Sequence, residues 1–181
     1  MQTDPLSGGF AVPAIQSAHA FRSVMEAMAR PGTVFGIGGA VPPAPLSPAA
    51  GAVLLTLCDT ETPVYLAGDA DCDTVRKWLA FHTGAPLVGP SHCMFGVGTW
   101  DALTPLSPNP IGTSEYPDRS ATLIVESADL SATGATLTGP GIKTMAGLSL
   151  PEVEAFRFNR GLFPLGMDFI FSCGDRVAAR P

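Results

Sequence analysis

The sequence predicts an α/β fold built on a mostly parallel or mixed sheet that is covered on both faces. Two patterns carry this expectation. Candidate strands and helices alternate along much of the chain. The strands are also continuous apolar runs rather than apolar–polar alternations, as they are where a sheet is buried on two sides. The length of 181 residues suits one domain, taken as 1–181, large enough to bury a core without disulfide or metal staples.

Residues 1–16 show no periodicity and read as an irregular arm. Ser17 is placed to cap a helix running to about Ala29, with Phe21, Val24, Met25 and Met28 on one face. Arg30-Pro31-Gly32 ends it with breakers, and Val34–Ile37 reads as a short strand before Gly38-Gly39. Ala40–Pro48 holds four prolines and reads as a surface linker within the domain. Pro48–Leu57 is apolar all round, which predicts a buried helix. Pro63–Ala67 reads as a core strand. Asp71 or Asp73 opens a helix to about His82 that buries Val75, Trp78 and Leu79. Met94–Val97 is the next strand, and Leu103–Asp118, with Pro105, Pro108, Pro110 and Pro117, reads as loop. Thr122–Glu126 and Ala135–Thr138 read as strands, the second ending in Gly139-Pro140-Gly141. Pro151 fits the first turn of a helix through Phe158, and Met167–Ser172 is the last strand expected.

Composition narrows the function classes. The net charge is −6, only two lysines occur (Lys77 and Lys143), and this balance excludes a nucleic-acid surface, which needs clustered cations. A small anion held by a few arginines remains open. Charged residues make up 14% of the chain, well below the usual fraction of about 25%. Either an apolar surface is covered by a partner, or the chain carries long neutral Gly-, Ala- and Pro-rich loops. Met1–Phe10 has no secretion-signal pattern, and the longest apolar run, Ala49–Cys58, is far short of the ~20 residues that span a bilayer. Cys58, Cys72, Cys93 and Cys173 are widely spaced, which favours free thiols and a cytoplasmic protein.

The standard chemistries fail at named positions. Gly139-Pro140-Gly141-Ile142-Lys143-Thr144 lacks the glycine a phosphate loop needs directly before its lysine. Gly36-Ile37-Gly38 lacks the third glycine of a dinucleotide fingerprint. Asp69, Asp71 and Asp73 mimic a calcium loop, but Thr74 and Ala80 stand where Gly and Glu are required, so helix capping explains them better. His19, His82 and His92-Cys93 have no second pair spaced for zinc. There is no Gly-x-Ser-x-Gly elbow, and Cys58 reads as a buried thiol. Pyridoxal phosphate would need a Schiff-base lysine, for which Lys143 is the sole candidate. Polar function concentrates instead in Gly112–Ser120. There Arg119, with Tyr116, Ser120 and Ser114, has the composition of a phosphate- or carboxylate-binding loop. The other reading ties Arg119 to Asp118 or Glu115.

Several segments together resemble one family. They are Phe21-Arg22 with Met28-Ala29-Arg30-Pro31-Gly32, then Thr56-Leu57-Cys58-Asp59 with Thr62-Pro63, and then Gly112-Thr113-Ser114-Glu115-Tyr116-Pro117-Asp118-Arg119-Ser120-Ala121-Thr122. Leu137-Thr138-Gly139-Pro140-Gly141-Ile142 and Phe163-Pro164-Leu165-Gly166-Met167-Asp168 complete the set. The chain resembles the H subunit of the bacterial carbon–phosphorus lyase complex over nearly its whole length. It stops at Arg180-Pro181, where that family usually continues into a short tail.

The resemblance implies a three-layer α/β/α sandwich with a mixed sheet, like the large domain of pyridoxal-phosphate-dependent transferases without the cofactor. It implies a subunit needed with the G, I and L subunits to transfer the ribose triphosphate of ATP or GTP onto an alkylphosphonate. A core complex with G, I and J, and self-pairing when alone, are implied as well. The family supplies no firm catalytic residue. A two-fold homodimer is therefore expected for the chain alone. The alternative function is a nucleotide- or phosphonate-binding module using residues 112–120.

Overall fold

The computed structural model describes residues 6–181, so the first five residues of the expected arm lie outside the described residues. The elements are α1 (Pro13–Ala29), β1 (Phe35–Gly36), α2 (Pro48–Leu57), β2 (Val64–Leu66), α3 (Asp73–Thr83), β3 (Phe95–Thr99), the single-turn α4 (Trp100–Leu103), β4 (Thr122–Glu126), β5 (Ala135–Leu137), β6 (Ala146–Leu148), α5 (Val153–Gly161), β7 (Asp168–Cys173) and β8 (Arg176–Arg180). Six strands form one mixed sheet in the order β1-β8-β7-β4-β3-β2, while β5 and β6 pair separately. Strands β2, β3, β4 and β7 run parallel, and β8 is antiparallel to both of its neighbours.

Both faces of the sheet are covered, because successive side chains of a strand point to opposite sides. Ile124 and Ile170 enter a core shared with Val24 of α1, Val53 and Leu54 of α2, and Trp78 of α3. Leu123, Val125, Phe169 and Phe171 enter a second core with Leu103 of α4 and Phe156 of α5. Phe156 meets Phe169 edge-on at 4.8 Å. Full burial of each such ring contributes roughly 2–3 kcal/mol.

Several elements differ from the sequence expectation. Helix α1 starts at Pro13, four residues before Ser17, because Pro13 presets the first helical φ and Gln16 Oε1 accepts the Val12 N–H at 2.7 Å. Residues 13–16 are thus helical rather than irregular. The buried face of α1 is Ala20, Val24 and Ala27, whereas Phe21 and Met25 are exposed. Small residues win that face because α2 meets it with Ala49, Ala50 and Ala52. The segment from Ala40 to Pro48 is only partly a surface linker, since Ala40, Pro42, Pro43 and Leu46 are buried. Pro42 lies against Gly51, where any side chain would stand 2.6 Å from its ring. Asp71 and Asp73 do not cap α3. They pair with Arg76 and Lys77, the latter at 2.6 Å.

The unexpected strand β8 lies inside the sheet, one strand in from its β1 edge. It joins β7 through the two-residue loop Gly174-Asp175, with Gly174 at φ +59° and Asp175 at ordinary negative φ. This is the primed turn that suits a right-twisted hairpin.

Candidate functional site

Because β2, β3, β4 and β7 are parallel, the segments that lead into them share one edge of the sheet. Backbone hydrogen bonds stitch those segments together: Met94 N to Pro63 O at 2.8 Å, Thr122 N to Met94 O at 2.9 Å, and Asp168 N to Ala121 O at 3.2 Å. Gly166 N donates to Ile111 O at 3.0 Å, joining the 162–167 segment to the 111–121 loop. The Thr62-Pro63, Gly112–Thr122 and Phe163–Asp168 segments therefore meet along this edge. The Gly139-Pro140-Gly141 turn is structural: Gly141, at φ +78°, lies so close to the end of α1 that a side chain would stand 2.1 Å from Ala29 O. Lys143 is exposed beyond it.

The 111–121 loop is closed by an Ile111–Ser120 antiparallel bridge and by Ala121 N donating to Pro110 O at 2.8 Å. Within it, Thr113 N donates to Tyr116 O at 3.0 Å and Tyr116 N donates to Thr113 O at 3.1 Å, leaving Ser114 and Glu115 at the tip. Gly112 sits at φ +81°, where a side chain would stand 2.5 Å from Pro117 O, so this turn requires glycine. The short turn Pro117–Arg119 then lays the Arg119 guanidinium over the Tyr116 ring, 3.9 Å from its centroid. Such a contact holds an arginine in place without neutralising it.

The structure thus brings Arg119 and Tyr116 together. Ser120 is half-buried and held through its backbone, while Ser114 is exposed at the tip and touches neither. Among the described residues Arg119 pairs with neither Asp118 nor Glu115. That tie, one of the two readings of the loop, does not form.

Sequence reasoning assigned no role to two residues behind the loop. Asp168, the first residue of β7 and in register with Thr122, carries a half-buried carboxyl that burial pushes above the ordinary aspartate range. Asn159 of α5 is buried and clamps the chain just before it: Oδ1 accepts Met167 N and Nδ2 donates to Met167 O, both at 2.9 Å. Gly166, at φ +138°, leaves room for that amide 3.2 Å from where a side chain would begin. The signal was a glycine just before a strand combined with an asparagine in the last helical turn.

The opposite edge holds a satisfied carboxylate. Glu126 ends β4 and meets the N-terminus of α2, where Ser47 N donates to Oε1 at 2.7 Å and Ser172 Oγ donates to Oε2 at 3.1 Å. Burial raises its pKa, and those hydrogen bonds oppose the rise. An open α/β sheet usually takes anionic ligands at this edge, beside a helix N-terminus, and here the chain's own glutamate stands there. Shallow depressions lie elsewhere, one of about 380 Å³ between α1 and β1 and one of about 340 Å³ beside Tyr65 and Arg76. Among the described residues no cluster of three or more His, Cys, Asp or Glu is placed to hold a metal ion. None of the described helices is long and apolar enough to cross a membrane.

The fold and these contacts define an α/β module that displays a tethered arginine on an open sheet edge, with the Glu126 carboxylate at the opposite edge hydrogen-bonded by its own chain. The chain belongs to the bacterial phosphonate metabolism protein (PhnH) family, whose model matches residues 8–181. It is 40% identical over 192 residues to the alpha-D-ribose 1-methylphosphonate 5-triphosphate synthase subunit PhnH of Rhizobium meliloti (strain 1021), covering 99% of this chain and 94% of that protein.

Proposed function

We propose that this chain is a subunit of an alpha-D-ribose 1-methylphosphonate 5-triphosphate synthase, acting with G, I and L subunits. The reaction transfers the ribose triphosphate of ATP or GTP onto an alkylphosphonate with loss of the base. The observation that carries this reading is the likeness to the Rhizobium meliloti subunit over nearly the whole of both chains. Identity of 40% across that span supports a shared fold and a shared role. The chain works in the cytoplasm as a single unit, joins G, I and J in a core assembly, and pairs with itself when alone. Its sheet is arranged like the large domain of pyridoxal-phosphate transferases, with no pyridoxal phosphate held.

Its contribution is positional rather than catalytic. The strongest candidate acid, Glu126, is already hydrogen-bonded to Ser47 and Ser172, and Cys58 is a thiol that burial pushes up to about 12. Cys58 is not poised to attack at neutral pH, and Glu126 is held by the chain's own Ser47 and Ser172. Co-expression with its own G, I and J partners tests the reading. One stable assembly is expected, and a chain that purifies alone would overturn it.

A second reading rests on Arg119, whose guanidinium is stacked on Tyr116 and has no carboxylate partner among the described residues. On that reading the 112–120 loop binds nucleotide triphosphate or phosphonate directly. Calorimetry of the isolated chain with ATP, GTP and methylphosphonate distinguishes the two, since heat at millimolar ligand supports direct binding and none supports a purely positional subunit.

A further inference from the structure

Of the chain's ten cations, Arg30, Arg76, Lys77 and Arg157 have a carboxylate partner within the chain. Arg119, Arg160 and Arg180 have none among the described residues, and all three belong to the edge described above. Arg119 stands on the 111–121 loop. Arg180 ends β8 beside β7, where its Nη2 donates to Phe156 O at 3.1 Å and its guanidinium lies 5.4 Å from the Phe156 ring centroid. Arg160 lies one turn further along α5, close enough for its charge to act on Arg180. Two guanidinium groups of like charge, set near each other, have no compensating acid among the described residues.

The same edge exposes aromatic surface. Phe163 is 86% exposed, and it leads into the segment whose Gly166 is bonded to Ile111 of the loop. Tyr116 is 45% exposed beneath Arg119. Arginine and large aromatics are the side chains that carry most binding energy at protein interfaces. The backbone beneath them is fixed by the Ile111–Ser120 bridge and the Asn159 clamp, so little ordering cost remains to be met on association.

We propose that this edge is the docking face for a sister protein subunit that presents carboxylates around an apolar pocket. Arg119, Arg160 and Arg180 meet the carboxylates, and Phe163 fills the pocket. The inference rests on the reading of the chain as one subunit of an assembly. A protein partner fits better than a nucleotide because small ligands take concave sites, whereas these cations stand on three separate elements around an almost fully exposed phenylalanine. Charge selects a sister over a second copy. A two-fold pairing through this edge would set Arg119, Arg160 and Arg180 against their own copies, so self-pairing uses another face and this edge suits an acidic partner.

The test titrates the intact chain with the other subunits of its own synthase, at low and at physiological salt. Arg119→Glu, Arg160→Glu and Phe163→Ala change exposed side chains, and Arg22→Glu on the exposed face of α1 is the control. Each edge variant should weaken binding about thirtyfold, the effect of losing an interface anchor worth about 2 kcal/mol. The arginine variants should also flatten the salt dependence, and the control should stay within about twofold. Melting temperatures recorded on all four confirm that folding is intact. Unchanged affinity in the three edge variants overturns the inference while leaving the proposed function standing. Edge variants that abolish self-association but not sister binding overturn the choice of partner. A natural chain that binds no sister subunit overturns the proposed function and this inference together.

Discussion

Replacing Asn159 should unfasten the segment that supports the candidate edge. In Asn159→Ala the backbone N–H and C=O of Met167 both lose their partner, and each was bonded at 2.9 Å in a buried site. An orphaned buried polar group costs about 1–3 kcal/mol, so two cost about 2–4 kcal/mol after partial rescue by water. For a chain of this length that lowers Tm by roughly 6–12 °C. Asn159→Asp separates the two bonds. Its carboxylate still accepts from Met167 N but faces Met167 O with no donor, so at neutral pH it should destabilise about as much as alanine. Protonation restores a donor. The folded state therefore binds that proton more tightly than the unfolded chain, and the loss should shrink as pH falls toward 5. Thermal melts of both variants at pH 7.5 and pH 5 read this directly. An Asn159→Ala chain that melts within about 1 °C of the natural one would refute the clamp, as would an Asp variant indifferent to pH.

Two further outcomes follow from burial. Glu126 has a raised pKa in the folded chain, so its contribution to stability falls as pH rises from the ordinary glutamate value through the raised one. Glu126→Gln keeps an acceptor for Ser47 N and should change stability by no more than about 1 kcal/mol at pH 7.5 while flattening that pH dependence, whereas Glu126→Ala should cost about 2 kcal/mol, both read by urea denaturation. The thiols should divide two and two under alkylation at pH 8. Cys58 and Cys93, pushed by burial to about 12 and about 11, stay unmodified in the folded chain, and the less buried Cys72 and Cys173 label first by mass spectrometry.

The legible parts of the fold were those decided locally. Helix α2 runs over Pro48–Leu57 and β4 over Thr122–Glu126, as composition alone predicts, because an all-apolar run has nowhere to go but the interior. Burial of Val75, Trp78 and Leu79 followed from helical spacing for the same reason. The face of α1 was misjudged because its neighbour α2 offers alanines, so the tight fit went to Ala20 and Ala27 rather than to the bulky Phe21 and Met25. Strand β8 was hidden by Ala178 and Ala179, which carry little strand propensity and are buried only because β1 and β7 flank them. At the site, composition singled out Arg119 and Tyr116 within one short loop, but not the guanidinium over the ring, which depends on the turn at Pro117–Arg119. The Asn159 clamp was not legible, because it depends on how the 162–167 connection from α5 to β7 folds back, and the Arg160–Arg180 pair was not, because α5 meets the antiparallel strand β8 only in the folded chain.

Reconstitution bears most directly on the central claim that this chain completes an assembly without supplying the chemistry itself. The G, I and L subunits, ATP and methylphosphonate are combined with and without the chain, and phosphorus NMR follows the methylphosphonate signal. The expected result is a new ribose-linked phosphonate resonance only when the chain is present, and no change with the chain alone. Product formed at the same rate in its absence, or by the chain unaided, would contradict it.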